Sequence, residues 1–117
     1  MTDYHEPFDR LGDKVLDQSR ALISLKEEIE AINWYNQRVA VCKDETLREI
    51  LAHNRDEEIE HAVMAIEWLR RNMDGWDAEL RKYLFTDGPI AHHDDEHDDG
   101  DGGTTGFRKD LGIGNLR

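Results

Sequence analysis

The chain has 117 residues, room for one domain, and carries 27 acidic against 15 basic residues for a net charge of −12. Such a chain repels nucleic acid and anionic membranes, because it has no basic surface to neutralise phosphates. No apolar run approaches the roughly 20 residues that span a bilayer, the first residues lack a signal-peptide pattern, and the single Cys42 precludes an intrachain disulfide. We therefore expect a soluble intracellular protein.

The sequence between Pro7 and Pro89 has the apolar spacing of helices almost throughout. Apolar residues at steps of three and four predict a first helix over residues 7–41. This apolar seam has the coiled-coil type of spacing, and Gln18 and Asn36 interrupt it with polar side chains. The first helix therefore has one face suited to packing against a partner.

A second helix is predicted over residues 45–72, after the short turn CKD. Asp44 is the expected N-cap, and a capping box of Thr46 with Glu49 is the alternative. A third, shorter helix is predicted over residues 76–85. Helices one and two, joined by so short a turn, predict an antiparallel hairpin.

Composition divides the chain into three segments. Residues 1–90 form the predicted helical domain, and residues 91–106 are an Asp-, His- and Gly-rich stretch expected to be a disordered linker. Residues 107–117 regain apolar side chains and resemble a docking peptide. A single hairpin leaves apolar faces in water, whereas two hairpins form a four-helix bundle that covers them. We therefore predict an all-α protein that dimerises into a four-helix bundle.

One stripe of the second helix, expected to face the core, is apolar at its ends and polar in its middle. Asn54, Glu58 and His61 form that middle. Burying an unpaired carboxylate costs several kcal/mol in practice, so such a group needs a partner or a metal. Glu58 and His61 are spaced i, i+3 and point from one face. Glu-x-x-His inside a helical bundle is the ligand pair of di-iron carboxylate proteins.

Glu28 of the first helix lies at the same height as this pair. It precedes Lys43 of the turn by fifteen residues, and Glu58 follows Lys43 by fifteen. A complete di-iron site takes two glutamates and two Glu-x-x-His pairs, whereas this helical region holds one set. We therefore predict a site assembled from two chains, each giving Glu28, Glu58 and His61. Iron suits these ligands, and manganese or zinc would also bind.

Other residues near the predicted site have two possible roles each. Glu27, Glu30 and Trp34 share a neighbouring face, which is either an acidic access path for cations or an ordinary solvated face. Tyr35 lies one heptad beyond Glu28, where it either reaches the surroundings of the metal or packs as an aromatic residue. These patterns alone do not separate the alternatives.

Three stretches of the sequence, EAINWYNQRV, LAHNRDEEIEHAVMAIEWLRRN and YLFTDGPI, resemble the encapsulated ferritins of bacteria and archaea over about residues 5–90. The terminal DLGIGNLR resembles the targeting peptide by which cargo proteins dock inside encapsulin nanocompartments. The resemblance implies a two-helix hairpin with a short C-terminal helix and a ferroxidase centre at a homodimer interface. It also implies an open ring, typically a decamer, inside a cytoplasmic encapsulin shell that receives the oxidised iron.

The resemblance also assigns residues. Glu28, Glu58 and His61 of each chain match the ferroxidase ligands. Tyr35 matches a tyrosine near that centre, so we count it among the predicted catalytic residues. The acidic access site, which takes calcium or another divalent cation, matches Glu27, Glu30 and Trp34. The docking motif matches Leu111, Gly112, Ile113, Gly114 and Leu116, with Asn115 where the family often has serine.

The predicted function is oxidation of Fe(II) to Fe(III) with oxygen as acceptor, followed by delivery of iron for mineral storage in the shell. The alternative is a module that sequesters divalent metals with the same ligands and no turnover. A structural adaptor that only dimerises and docks is a further alternative. A rubrerythrin-like peroxidase is disfavoured, because its additional iron site needs four cysteines and Cys42 is single.

Overall fold

The computed structural model describes residues 3–91 and shows an all-helical chain. A 3₁₀ turn over Phe8–Arg10 precedes three α-helices, α1 (Gly12–Val41), α2 (Glu45–Asn72) and α3 (Trp76–Tyr83). The part of the chain described contains no strand, which agrees with the predicted fold class. Within the same residues, no helix has the length and apolar character needed to cross a bilayer.

Helix α1 begins later than the sequence predicted. The main-chain N–H of Arg10 donates to the Pro7 carbonyl at 3.0 Å, and the N–H of Leu11 donates to the Phe8 carbonyl at 3.3 Å. These bonds close a 3₁₀ turn. Gly12 then adopts a φ of 78°, a left-handed value that suits glycine. The predicted start at Pro7 is therefore wrong, because the apolar spacing continues through a turn that is not α-helical.

Helix α2 has the predicted bounds, and its N-terminus is capped by Asp44. The Asp44 Oδ2 atom accepts a hydrogen bond from the Leu47 N–H at 2.9 Å. The Arg48 guanidinium donates to the Cys42 carbonyl at 3.1 Å, which ties the turn to the first residues of α2. The Asp44 prediction is confirmed, and the hairpin turn is held by polar contacts at both of its ends.

Helices α1 and α2 pack against each other as a hairpin. Leu25 of α1 and Ala62 and Leu69 of α2 are buried, and Leu69 is 0% exposed. Leu and Ala are among the residues most often found in protein interiors. Because two helices touch along one line, the hairpin buries a narrow seam only.

Several apolar residues predicted to face the core lie outside this seam. Val15, Leu22 and Ile29, at heptad spacing on α1, are 45%, 37% and 53% exposed. On α2, the ends of the predicted core stripe, Leu47 and Trp68, are 46% and 37% exposed. The sequence pattern is that of a bundle, and a lone hairpin covers the part of each helix that meets its neighbour.

The chain divides into two compact units, Met1–Asp74 and Gly75–Arg117. The α1–α2 hairpin belongs to the first of these units. In the second, α3 begins after Gly75, whose φ of 101° is left-handed, and Arg81 pairs with Asp77 at 3.0 Å. Helix α3 ends at Tyr83 rather than at residue 85, because Phe85 has a φ of 60° that a helix does not accept. The predicted linker and docking peptide span residues 91–117, all of which except Ala91 lie outside those described, so the three-segment division stays a prediction.

Candidate metal centre

Three predicted ligands meet on one side of the hairpin. Glu28 comes from α1, and Glu58 and His61 come from α2. One potential ligand atom from each lies within 4.8 Å of the others. The His61 Nδ1 atom is 3.3 Å from Glu58 Oε1 and 3.7 Å from Glu28 Oε1. Over residues 3–91, no other group of three His, Cys, Asp or Glu side chains comes close enough to hold a metal ion.

The buried seam explains why these side chains meet. Leu25 lies one helical turn before Glu28, and Ala62 lies one turn after Glu58. Residues three and four apart share a helix face, so packing of the two apolar side chains turns both glutamates toward the facing helix. Glu28 and Glu58 are 26% and 25% exposed, compared with 46% for His61. The imidazole therefore lies at the open edge of the cluster.

The pKa values of the three side chains shift because the side chains contact one another. The pKa of Glu28 is raised, first because it hydrogen-bonds Glu58, then because of burial and the negative charge of Glu58. The pKa of Glu58 is lowered, chiefly because it accepts that hydrogen bond and a second from His61. The pKa of His61 is raised, chiefly by its hydrogen bond to Glu58. Two carboxylates so close repel unless a proton or a cation lies between them.

The donor set fits a hard or borderline divalent metal. Carboxylate oxygens with one imidazole suit iron, manganese or zinc, and metal binding displaces the protons that the free ligands hold. One chain supplies three ligand side chains, with the imidazole open to solvent. The cluster therefore has the chemistry of a metal site and lacks ligands on its open side.

Tyr35 has its contact elsewhere. Its ring lies 5.1 Å from the guanidinium carbon of Arg38, a cation–π arrangement. Seven residues separate Tyr35 from Glu28, about 10 Å along the helix axis. Within one chain the Tyr35 ring thus contacts Arg38, and its role near the metal stays a prediction.

The residues of the predicted access site are exposed on α1. Trp34 is 53% exposed, and Glu27 and Glu30 are exposed as well. At about 100° per residue, Glu30 and Trp34 project away from the Glu28 side of the helix. Both glutamates help to raise the pKa of Lys26, after its ion pair with Asp3. The arrangement is a solvated acidic face within one chain, so its use as an access site stays a prediction.

The docking residues Leu111, Gly112, Ile113, Gly114 and Leu116 lie outside the described residues. Sequence reasoning also missed a polar pair elsewhere on the hairpin. The Arg55 Nη1 atom donates to the Asn36 Oδ1 atom at 3.0 Å across the hairpin. Asn36 interrupts the apolar seam of the first helix and so indicates a polar partner, whereas no sequence pattern singles out Arg55.

Comparison with known proteins agrees with this architecture. Residues 3–87 match the EncFtn-like family. A "Ferritin-like protein" of Thermotoga maritima is 60% identical over 113 residues, which are 97% of this chain and 96% of the relative. An "Encapsulated ferritin-like protein" of Rhodospirillum rubrum is 47% identical over 121 aligned positions, covering 97% of this chain and 86% of the relative.

A solved structure supports the fold as well. The crystal structure of a protein from Nitrosomonas europaea is 58% identical, with a TM-score of 0.73. The match covers 76% of this chain and 98% of the other. The family match spans most of the chain and includes the hairpin that carries the cluster. This chain is a member of the EncFtn-like family.

Proposed function

We propose that this chain is a ferroxidase that oxidises Fe(II) to Fe(III) at a di-iron centre formed between two copies. The observation that carries the proposal is the convergence of Glu28, Glu58 and His61 on the open side of the hairpin. A di-iron carboxylate site takes two glutamates and two Glu-x-x-His pairs. Two copies related by a two-fold axis supply that set, and one copy supplies half of it.

The exposed face beside the cluster favours a second copy as the missing half. Leu47, Asn54, His61 and Trp68 recur every seven residues along α2, the spacing of a helix–helix seam. Leu47 and Trp68 are exposed at its two ends. Covering them with a second hairpin removes apolar surface from water at roughly 25 cal/mol per Å². The same step brings a second His61 toward the first.

A separate apolar face supports further assembly of the dimers. Val15, Leu22 and Ile29 are exposed on α1, and Ile59 and Val63 are 43% and 58% exposed on α2. At about 100° per residue, these side chains lie across the seam from Glu28 and His61. Two different contact faces on one subunit allow closed rings. We propose a ring of homodimers, with a decamer as the expected size.

In the proposed reaction Fe(II) is the substrate. The net charge of −12 raises the local concentration of cations, and Glu27, Glu30 and Trp34 form the access site, which also takes calcium or other divalent cations. Glu28, Glu58 and His61 of each copy would hold the irons, with Glu58 as the candidate ligand to both. Two Fe(II) ions release one electron each, and dioxygen takes both electrons with two protons to give hydrogen peroxide. Carboxylate charge stabilises the Fe(III) product.

The name of the Rhodospirillum relative, "Encapsulated ferritin-like protein", supports a location for the reaction inside a protein shell. We propose that this chain is cargo of a cytoplasmic encapsulin shell, docked through Leu111, Gly112, Ile113, Gly114 and Leu116. Iron oxidised at the dimer interface is released inside the shell for mineral storage. Tyr35, one heptad from Glu28, is the proposed aromatic residue near the centre.

The test is the initial rate of Fe(III) formation with simultaneous measurement of oxygen uptake. Glu58→Gln and His61→Ala should lower the rate by about 100-fold or more, since losing even an outer hydrogen-bond partner of a metal ligand costs 10- to 100-fold. The matched control is Glu49→Gln, at an exposed glutamate of the same helix. Wild-type rates in both ligand variants contradict the site. Iron binding without oxygen uptake by the native protein would identify a sequestering module instead.

A further inference from the structure

Two side-chain hydrogen bonds cross from α1 to α2 away from the metal cluster. The Arg55 Nη1 atom donates to Asn36 Oδ1 at 3.0 Å. The Gln18 Nε2 atom donates to the Asn72 carbonyl at 2.8 Å. Asn36 and Gln18 are the two polar residues that interrupt the apolar seam of α1. Each interruption therefore has a bonding partner on the opposite helix.

These two bridges bracket the cluster along the hairpin. Asn36 follows Glu28 by eight residues, and Gln18 precedes it by ten, which places them about 12 Å and 15 Å away along the helix axis. Arg55 lies one turn before Glu58. Its side chain is 27% exposed, and its Nε atom also donates to Asp56 at 3.1 Å. The Arg55 guanidinium is thus fixed by two acceptors and partly shielded from water.

Apolar packing does not by itself fix how far one helix is shifted along the other. The buried side chains Leu25, Ala62 and Leu69 make non-directional contacts. A hydrogen bond near 3 Å, in contrast, is lost when its atoms move apart by about 1 Å. A metal site needs its ligands held within about 0.5 Å. Polar bridges supply a longitudinal restraint that the seam lacks.

The cluster cannot supply this restraint on its own before metal arrives. Glu28 and Glu58 come from different helices, and their carboxylates converge with His61 on one point. Two carboxylates so close repel each other, and this repulsion acts to separate the very atoms that must converge. A restraint outside the cluster, and uninvolved in ligation, can hold both glutamates at one height in the metal-free protein.

We propose that Asn36 and Arg55 are positioning residues whose bridge, together with the Gln18–Asn72 bridge, sets the helix register that brings Glu28 level with Glu58. The inference rests on the proposed metal centre and adds to it residues that touch no metal. Without the bridge, the two glutamates converge less often, and metal binding must offset the cost of restoring the register.

The test uses the full chain and Co(II), whose visible absorption reports both binding and coordination geometry. Asn36→Leu removes the acceptor and makes the seam more apolar, so the hairpin stays folded. We expect the Co(II) dissociation constant to rise about 10- to 100-fold, with an altered spectrum. Arg55→Met, which keeps an aliphatic stem and removes the donor, should give the same result. Asn36→Asp keeps the acceptor oxygen and should bind Co(II) as the native chain does.

Two controls make the outcome specific. Asn33→Leu makes the same chemical change at an exposed position of α1 and should bind Co(II) as the native chain does. Thermal unfolding of the metal-free variants should show no loss of stability for Asn36→Leu. Native affinity and spectrum in both Asn36→Leu and Arg55→Met overturn the positioning role. If Glu58→Gln binds Co(II) normally as well, the proposed metal centre is contradicted together with the positioning role. If Glu58→Gln loses binding while Asn36→Leu and Arg55→Met bind normally, only the positioning role is contradicted.

Discussion

Glu67 shows how a single residue on α2 stabilises the end of the hairpin. Its carboxylate accepts hydrogen bonds from Arg70 at 2.8 Å and from Arg71 at 2.7 Å. These bonds lower the pKa of Glu67 from an ordinary value of 4.5 to about 2. A carboxylate with a lowered folded-state pKa stabilises the fold above its unfolded pKa, and this contribution is lost as pH falls through the folded value. Glu67 should therefore contribute at neutral pH and cease to do so near pH 2.

The prediction concerns Glu67→Gln. At pH 7 we expect the variant to unfold at a lower temperature than the native chain, because the glutamine lacks the charge that pairs with Arg70 and Arg71. The difference in melting temperature should shrink as the pH is lowered from about 5 to about 2. Melting followed by far-UV circular dichroism measures this, with the exposed Glu60→Gln as control. A difference that stays constant with pH would show that the ion pairs do not stabilise the fold.

At the scale of elements, the N-cap of α2 controls how the hairpin turn ends. The Asp44 carboxylate accepts the N–H of Leu47, one of the donors that a helix leaves without an internal partner. Asp44→Ala should lower the free energy of unfolding by about 1 kcal/mol. Asp44→Ser should recover most of the loss, and Lys43→Ala, at an exposed neighbour, should have little effect. Urea titration gives these values, and equal stability of Asp44→Ala and the native chain would rule out the capping role.

The glycine before α3 gives a second prediction at this scale. Gly75 has a φ of 101° and nothing within 4 Å of the position that a Cβ atom would occupy. Gly75→Ala should therefore lose about 1 to 2 kcal/mol through backbone strain alone. Gly88 also has open space and does not have a left-handed φ, so Gly88→Ala is the matched control. Similar unfolding free energies for the two variants would contradict this explanation.

Helix existence was predictable from the sequence, and the helix ends only in part. The start of α2 has a chemical marker in Asp44, so its bounds followed from the cap. The start of α1 lacks such a marker, and the 3₁₀ turn over Phe8–Arg10 keeps the apolar spacing going. The end of α3 depends on the φ of Phe85, a conformation that residue type does not indicate.

The convergence of Glu28, Glu58 and His61 was predictable because two spacings agreed. Glu58 and His61 share a helix face, and Glu28 lies at the same distance from the turn. The side of the hairpin that carries the cluster was harder to predict. Trp68 and Leu69 are both apolar and lie about 100° apart on the helix, so the sequence pattern did not show that Leu69 is buried and Trp68 exposed. That distinction depends on which faces meet in three dimensions.

At the scale of the whole molecule, we expect dimerisation and metal binding to depend on one surface. Trp68→Glu places a charge on the α2 stripe that the proposed partner covers. Because tryptophan is among the residues that most often contribute 2 kcal/mol or more to an interface, we expect the dimer dissociation constant to rise about 30-fold or more. Metal stoichiometry should fall with it. Val41→Glu is the control, since Val41 is 77% exposed at the end of α1.

Sedimentation of both variants, with and without metal, measures this coupling. Trp68→Glu should shift toward monomers while Val41→Glu assembles normally. A monomeric Trp68→Glu variant that still binds a full complement of metal would show that one chain is sufficient for the site.

We propose that each chain holds half of a metal centre. The most direct test is a crystal structure of the iron-loaded protein with anomalous scattering at the iron edge. We predict two iron peaks about 3.5 to 4 Å apart across a two-fold axis, bound by Glu28, Glu58 and His61 from both copies. Iron held by the ligands of a single chain, or bound away from these three residues, would contradict the claim.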